Sequence, residues 1–459
     1  MAKILLAFFN GIMNADSPQA MPCFYEAFIQ GLRENGNDLL VYHHDRFNAS
    51  FSILPDDIRK EIETFAPDCA ILFNNCFYDL SEYDFPIVVY EVDSILYYSN
   101  QERLKANPDR FRYVVCQEES RANIKSFLGV QDKFICQLPF FTAVKSEPLE
   151  KKTNISFIGT RFAPDNSTHT LWNDFMMSSP SEDAIAHYRE ALSQIALHPY
   201  WTQEEIDSRF YQYGINTARF LPSERIVGAL SGVRRIQVLS AVADLGLDIY
   251  GTPSWVNSPC EEPLIPLSYN KKSVYSIQHN QDVYNSSKLS ININHLQAVE
   301  GFSWRVCDIM ASSSCLVSEY KSDLVRLFPK VPIPTFSNQY EAREQCCRLL
   351  KEDALREDIV CASNEAIEGN YRFNHLIPML EDFLGIRLTS SIAPDKSQLT
   401  IRRLTSSPIG KIWQETSGTS FRLRKVLILL SSMLLFSRPE RRMYRERKLA
   451  KLKRKYHIQ

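Results

Sequence analysis

Short apolar runs alternate with helical stretches twice along this chain, and that alternation constrains the fold more than any other feature. In the first third of the sequence, strands are predicted at 4–9, 39–43, 69–73, 87–91, 113–116 and 134–138. Helices are predicted between them at 22–34, 56–65 and 120–128. Continuous apolar strands separated by helices are typical of a parallel sheet that is covered on both faces. The pattern therefore predicts an α/β, Rossmann-like domain over residues 1–150.

A second unit of the same kind is predicted over residues 151–385. The Pro-rich and charged stretch 146–154 interrupts the alternation and indicates a linker. Beyond it, strands are predicted at 155–158, 248–250, 289–293 and 315–318, and helices at 233–245, 303–312, 340–350 and 354–369. The helix-rich segment 165–230 contains no recognisable motif. A chain of 459 residues is long enough for two such domains.

Residues 386–459 are predicted to be a linker and a basic amphipathic tail. From residue 401 onward, 16 Lys and Arg oppose three acids, so this end carries +13 although the whole chain carries −2. An apolar run of 11 residues within 421–457 is framed by basic residues and is too short to span a bilayer. Such a segment is suited to the surface of an anionic membrane, or alternatively to packing against the protein body. Nucleic-acid binding is not expected, because no reader module accompanies the charge.

The cysteines and the N-terminus indicate a cytoplasmic protein, and the basic tail would hold it, as a peripheral protein, at the inner face of the cell membrane. Eleven cysteines without C-x-x-C pairs predict neither a zinc site nor a disulfide framework, which fits a reduced compartment. The apolar run 4–9 is interpreted as a strand and not as a signal peptide, because Asn10, Gly11 and Asp16 follow it. No apolar run is long enough to predict a membrane-spanning helix.

The sequence VEGFSWRVCDIMASSSCLV combines two carboxylates with a helix start near Phe302. Glu300 precedes the predicted helix and Asp308 lies inside it, so the spacing allows both carboxylates to face one cleft. The free N–H groups at the helix start, that of Ser303 included, could bind a phosphate, and Gly301 would let the backbone approach it closely. The alternative is an ordinary amphipathic helix with a solvated Asp308.

This segment resembles the carboxylate-x7-carboxylate signature of retaining glycosyltransferases with two Rossmann-like domains, the GT-B fold. It is more similar to the group-one glycosyltransferase domain of CgeB-like spore-maturation proteins. That family has an asparagine-rich strand, a glycine, an arginine and a helical acid in one order, matched here by Asn292, Asn294, Gly301, Arg305 and Asp308. Further similar segments follow the family's order, namely NISFIGTRF (154–162), VRRIQVLSAVADLGLDIYGTPSW (233–255) and EGNYRFNHLIPMLEDFL (368–384).

The resemblance implies a hexosyl or related transferase that moves a sugar from a nucleoside diphosphate sugar to a cell-surface glycan, lipid-linked or protein acceptor. Polysaccharide or lipopolysaccharide assembly would be its setting, with neither a metal nor another cofactor expected. Glu300 and Asp308 would accept hydrogen bonds from hydroxyls of the donor. Asp308 replaces the family's usual glutamate, and Ser303 and Ser313 replace glycines.

Two other functions stay open from the sequence. The replaced residues permit a non-catalytic scaffold that binds a nucleotide or sugar. A phosphorylase or epimerase of the same fold is the third reading, but a phosphorylase would use a lysine to hold pyridoxal phosphate, and the Glu300 segment has none.

The donor-binding candidates follow strands or carry positive charge. Arg234, Arg235 and Arg305 are candidates for the diphosphate, although either of the two adjacent arginines could lie on a solvated helix face. The other predicted donor-binding residues are Gly159, Thr160, Gly251, Asn294, Gly301, Phe302, Ser303 and Asp308. Open α/β sheets bind ligands at the carboxyl ends of their strands, where Gly159, Thr160 and Gly251 are placed, but simple turns also use such residues.

The predicted catalytic residues are Asp93 and Glu300, and the stereochemistry is open. If the sugar is inverted, a general base must come from the first domain. The strand end YEVDS offers Glu91 and Asp93, of which Asp93 is favoured, with Asp16 as a rival. Asp93 could instead cap a helix. His43 and His44 are interpreted as exposed surface residues.

Overall fold

The computed structural model describes residues 1–11, 20–45, 53–162, 176–197, 205, 208, 223–257, 262–272 and 274–404. The strands are β1 (Lys3–Phe9), β2 (Asp38–His44), β3 (Cys69–Phe73), β4 (Ile87–Tyr90), β5 (Phe111–Val115), β6 (Ile135–Gln137), β7 (Thr153–Ile158), β8 (Leu247–Tyr250), β9 (Ser287–Asn292), β10 (Cys315–Glu319), β11 (Thr335–Phe336) and β12 (Leu399–Leu404). The α-helices are α1 (Cys23–Glu34), α2 (Asp56–Phe65), α3 (Gln101–Ala106), α4 (Glu118–Leu128), α5 (Glu182–Leu197), α6 (Ser223–Val242), α7 (Leu264–Ser268), α8 (Ile277–Asn285), α9 (Arg305–Met310), α10 (Ser322–Leu327), α11 (Gln339–Lys351), α12 (Asp353–Asn370) and α13 (Phe373–Leu384).

Two parallel sheets organise the described chain. The first has seven strands in the order β12-β2-β1-β3-β4-β5-β6, and the second has five in the order β11-β10-β9-β7-β8. Strands β2, β3 and β4 are buried along their whole length, which is why they read as continuous apolar runs without alternation. The predicted α/β fold with two Rossmann-like domains is confirmed. Along the chain, β6 belongs to the first sheet and β7 begins the second sheet. The predicted linker 146–154 lies between them and overlaps the first residues of β7.

After α13 the chain returns to the first sheet, which corrects the prediction of a linker from residue 386 for the described residues up to 404. Strand β12 pairs in parallel with β2 at the sheet edge. Helix α13 leads back to that edge: the Phe373 ring lies 5.2 Å from the Phe28 ring of α1. A Cβ on Gly31 would come within 2.3 Å of the Phe373 ring, so only glycine allows this contact. β12 was missed because its LTIRRL sequence is half exposed at an edge and lacks an apolar run.

Helix α9 is shorter than the helix predicted at 303–312. It comprises six residues, Arg305–Met310, so Phe302 and Ser303 precede it. The helix start thus lies two to three residues later than predicted, and a phosphate site beside it stays a prediction. The two-residue strand β11 was also not predicted, because so short a run has no recognisable periodicity.

The two domains pack directly against each other beside the carboxyl ends of their strands. The Phe24 ring of α1 lies 5.4 Å from the Trp304 ring, and the Phe140 ring lies 6.3 Å from that of Phe302. These residues belong to one hydrophobic cluster that continues from the first domain into the second. Burial of these aromatic rings holds the domains together around the site described next.

Several predictions fall on residues that the structure does not describe. They concern Asp16, the membrane tail 421–457 and much of the segment 165–230. Among the described helices, none combines the length and apolar character needed to cross a membrane.

Candidate active site between the two domains

A cavity of about 790 Å³ lies between the two domains, at the carboxyl ends of strands from both sheets. Its wall in the first domain includes Phe9 at the end of β1 and Asp93 after β4. Its wall in the second domain is built from residues that follow β7, β8 and β9. Of the predicted site residues, it brings together Asp93, Gly159, Thr160, Arg235, Gly251, Asn294, Phe302, Ser303 and Arg305. This is the position at which open parallel sheets bind ligands.

Two glycines form the close backbone contact at one end of the second-domain wall. Gly251 has φ +152°, and a Cβ there would lie 2.1 Å from the carbonyl oxygen of Gly159. The indole N–H of the buried Trp255 donates to the same Gly159 oxygen at 2.8 Å. The strand ends of β7 and β8 are thereby fixed next to each other, which places Thr160 at the cavity.

The adjacent arginines Arg234 and Arg235 have different surroundings. Arg235 lines the cavity and donates to the carbonyl oxygens of Thr160 at 2.5 Å and Ile293 at 3.1 Å. Arg234 does not line it: its guanidinium forms an ion pair with Glu319, with 3.1 Å between Nε and Oε1. Arg234 therefore ties α6 to the end of β10, and Arg235 is the one of the pair available to a ligand.

Arg305 provides a second positive charge at the same cavity. Its guanidinium carbon lies 5.1 Å from the centre of the Trp304 ring. Burial, together with the charge of Arg305, lowers the pKa of Arg235 to about 9. Within the described ranges, neither arginine forms a salt bridge. The charge of Arg305 acts on Asp93 and Asp308, and that of Glu319 acts on Arg235. Because no salt bridge in those ranges neutralises either guanidinium group, the pair makes this part of the cavity attractive to an anion.

Asn294 organises the loop between β9 and α9. Its Oδ1 accepts the backbone N–H of Ser303 at 3.1 Å, and its own backbone N–H donates to Glu319 Oε2 at 3.1 Å. The Ser303 hydroxyl donates to Asn292 Oδ1 at 3.1 Å. The Nδ2 group of Asn294 is buried and has no acceptor among the described residues, so it can donate a hydrogen bond to a ligand.

The two carboxylates of the predicted signature do not meet. Glu300 is exposed and does not line the cavity, and its backbone N–H donates to Glu119 of the first domain. Asp308 is 2% exposed and also lies outside the lining. Its Oδ1 accepts the hydroxyl of Thr142 at 2.6 Å. The expectation that both carboxylates face one cleft is wrong, because the Glu300 side chain is exposed and that of Asp308 is buried against Thr142 and Cys23 of the first domain.

Gly301 serves the contact between the domains. A Cβ at this position would lie 2.0 Å from Oε1 of Gln117, at the start of α4. The close approach that the sequence predicts for Gly301 therefore occurs, but toward the first domain.

Asp93 is held by amide groups from both domains. Its Oδ2 accepts Nδ2 of Asn74 at 2.9 Å, and its Oδ1 accepts Nε2 of Gln297 at 2.9 Å. Burial raises the pKa of Asp93 above its usual value, while these two hydrogen bonds and the charge of Arg305 oppose that rise. A positioned carboxylate with a raised pKa is suited to accept a proton. Glu91 lies outside the cavity lining: burial raises its pKa to about 8, although the Ser120 hydroxyl donates to it.

Gln297 and His295 line the cavity and were not predicted from the sequence. The ring of His295 lies 4.6 Å from Phe162 and 5.8 Å from Tyr97. Burial, with the charge of Arg235, lowers the pKa of His295 to about 3, so the ring is neutral. Both residues lie in the loop that follows β9, and this position near a strand end was the one feature of the sequence that could have indicated them as site residues.

His43 and His44 are buried, with 1% and 2% exposure, which corrects the prediction of exposed histidines. They end β2, whose two faces are both covered, and burial lowers the pKa of His43 to about 4. In the ranges that the structure describes, no three His, Cys, Asp or Glu residues form a cluster suited to a metal ion.

Residues 234–382, which include Arg235, Asn294 and Arg305, match the family described as Glycosyl transferase-like. The chain carries a glycosyltransferase domain. The match supports a transferase, and most of the site residues of the second domain lie within the matched range. No curated protein matches the sequence.

Several solved structures are similar to this chain at low sequence identity. A sucrose-phosphate synthase from Thermosynechococcus elongatus has a TM-score of 0.51 and 8% identity, over 83% of this chain and 98% of that one. T4 phage BGT in complex with UDP-glucose has a TM-score of 0.47 and 10% identity, over 84% and 100%. WaaG, a glycosyltransferase of lipopolysaccharide biosynthesis, has a TM-score of 0.43 and 8% identity, over 83% and 100%. The fold is that of GT-B glycosyltransferases.

Proposed function

We propose that this glycosyltransferase moves a sugar from a nucleoside diphosphate sugar to a hydroxyl group of its acceptor, with inversion at the anomeric carbon. The observation that carries the proposal is the pair Arg235 and Arg305. Both guanidinium groups belong to one cavity, and in the described part of the chain no carboxylate neutralises either of them by an ion pair. A diphosphate supplies the negative charge that such a pair would bind.

The proposed reaction uses both walls of the cavity. The acceptor hydroxyl attacks the anomeric carbon while Asp93 takes its proton, and the bond from that carbon to the diphosphate oxygen breaks. The leaving nucleoside diphosphate gains negative charge, which Arg235 and Arg305 stabilise. The Nδ2 group of Asn294 is a further donor for the diphosphate or the sugar.

The acceptor and the cellular setting are inferred from the sequence. We propose that the acceptor is a cell-surface glycan, a lipid-linked molecule or a protein. We also propose that the enzyme is of the CgeB-like subtype, because the similar segments within 154–384 follow that family's order. The basic segment 421–457 would hold the enzyme at the anionic inner face of the cell membrane, because its charge and its short apolar run suit that surface.

A non-catalytic scaffold that binds a nucleotide or a sugar is the second candidate. It is favoured by the positions of Glu300 and Asp308, since neither predicted carboxylate lines the cavity. Such a scaffold would keep the two arginines and bind a nucleoside diphosphate, but it would not break the bond to the sugar.

The test separates the two candidates in two steps. The first measures the melting temperature of the full chain with a panel of nucleoside diphosphates and their sugars, for the wild type and Arg305→Gln. The second measures release of nucleoside diphosphate from the donor that stabilises best, for the wild type and Asp93→Asn. Binding with release that Asp93→Asn abolishes supports the transferase. Binding without release supports the scaffold, and absence of binding contradicts both.

A further inference from the structure

We propose that Gln297 is a positioning residue, which reaches from the second domain and completes the hydrogen bonding of Asp93 when the two domains are together. The proposal rests on the proposed function, in which Asp93 is the general base. It adds a residue that neither the sequence motifs nor the resemblance assigns.

The first domain fixes only one side of the Asp93 carboxylate. Asn74 donates its Nδ2 hydrogen to Oδ2 at 2.9 Å. Its own Oδ1 accepts the backbone N–H groups of Val92 at 2.9 Å and Asp93 at 3.1 Å. Asn74 therefore orients the strand end and the carboxylate as one unit. Among the described residues, no side chain of the first domain donates to the second carboxylate oxygen of Asp93, Oδ1.

Gln297 supplies that missing partner from across the cleft. Its Nε2 donates to Asp93 Oδ1 at 2.9 Å, and its Oε1 accepts the backbone N–H of Ser94 at 3.0 Å. Its backbone N–H donates to Nδ1 of His295 at 3.2 Å, which fixes the loop that carries it. A carboxylate oxygen can accept two hydrogen bonds, so Oδ1 keeps one site for the acceptor hydroxyl.

The contact makes the base dependent on domain closure. Asp93 and Gln297 belong to different domains, so moving the domains apart breaks both hydrogen bonds of the Gln297 amide. The carboxylate then loses a donor that stabilises its charged form. Asp93 is thus oriented and charged most favourably in the arrangement in which donor and acceptor are enclosed.

The direction of the effect on titration follows from the groups around Asp93. Burial raises its pKa, and Gln297, Asn74 and the charge of Arg305 each lower it. The negative charge of Asp93 in turn acts on Glu91 and Tyr25, and it raises the pKa of both. Removal of the Gln297 amide leaves the other groups in place and raises the pKa of Asp93. A base with a higher pKa loses its charged form at a higher pH.

A carboxyl titration followed by infrared difference spectroscopy tests this without turnover. The Asp93 band is identified as the one that disappears in Asp93→Asn. We expect Gln297→Ala to raise its midpoint by about one pH unit, the effect of one hydrogen bond to a charged group. The acid limb of nucleoside diphosphate release should move equally, with affinity for the diphosphate unchanged.

Gln281 provides a matched control outside the cavity lining. Its Nε2 also donates to a carboxylate, that of Glu147 at 2.6 Å, and its Oε1 also accepts a backbone N–H, that of Lys145 at 2.8 Å. Gln281→Ala should leave the Asp93 midpoint in place. An unchanged midpoint in Gln297→Ala, or an equal shift in Gln281→Ala, overturns the proposal. If the wild type releases no nucleoside diphosphate, the proposed function is overturned instead. The Asp93 titration midpoint distinguishes the two failures, because it is measured without turnover.

Discussion

Thr142 of the first domain donates its hydroxyl hydrogen to Asp308 of the second, with 2.6 Å between Oγ1 and Oδ1. The thiol of Cys23, also in the first domain, lies 3.8 Å from Oδ2. The carboxylate that the resemblance assigns to hydroxyls of the donor is thus enclosed by first-domain side chains, and its observed contacts join the two domains.

Asp308→Asn should remove a pH dependence of stability. Burial raises the pKa of Asp308 to about 6, against the lowering effects of Thr142 and Arg305. Between pH 4 and pH 6 the folded state therefore binds more protons than the unfolded state, and stability falls as the pH rises. We expect the variant to gain about 1–3 kcal/mol relative to the wild type between pH 4 and pH 7, measured by urea unfolding. Nucleotide affinity should be unchanged. A loss of nucleotide affinity would instead support the predicted role of Asp308 in binding hydroxyls of the donor.

Arg234 and Arg235 are neighbours on α6, and only Arg235 lines the cavity, so Arg234 serves as the control for the donor site. Arg235→Gln and Arg305→Gln should each weaken nucleoside diphosphate binding about 10- to 100-fold, because each removes a charged donor worth about 1.5–3 kcal/mol. Arg234→Gln should lower the melting temperature, since Glu319 loses its ion-pair partner, but it should leave the affinity unchanged. Calorimetry measures the affinities, and equal weakening in all three variants would argue against a specific diphosphate site.

Glu300→Ala distinguishes the sequence prediction from the geometry. Because Glu300 is exposed and does not line the cavity, we expect release of nucleoside diphosphate to stay within about twofold of the wild type. The steady-state rate over a range of donor concentrations is the measurement. A large fall in kcat would show that Glu300 reaches the substrate, as a catalytic carboxylate must.

The fold was predictable because its strands are buried on both faces. The apolar runs of β3 and β4 leave no alternation that could be mistaken for an exposed sheet. The residues at the ends of β7 and β8 followed from the general position of ligands in such sheets. Arg235 and Arg305, which lie on helices, were predicted from their positive charge, and both line the cavity.

The contacts between domains were not predictable, since they depend on how two separately predicted units pack. Spacing places Glu300 and Asp308 within reach of one cleft, yet Glu300 is exposed and Asp308 binds Thr142 of the other domain. The bond from Gln297 to Asp93 joins residues 204 positions apart, and no local pattern contains it. Edge strand β12 was not predicted because its LTIRRL sequence is half exposed and lacks an apolar run.

Gly251→Ala should disturb the second-domain wall of the cavity. Its φ of +152° is unfavourable for alanine, and the new Cβ would lie 2.1 Å from the backbone oxygen of Gly159, which cannot move without shifting β7. We expect a loss of at least about 1–3 kcal/mol of stability and weaker nucleotide binding, measured by thermal unfolding and calorimetry. Gly369→Ala is the control, since a Cβ there meets nothing within 4 Å and α12 should gain about 0.5–1 kcal/mol from the better helix former. If Gly251→Ala matched the wild type in both measurements, the close approach of the two strand ends would not be needed for the site.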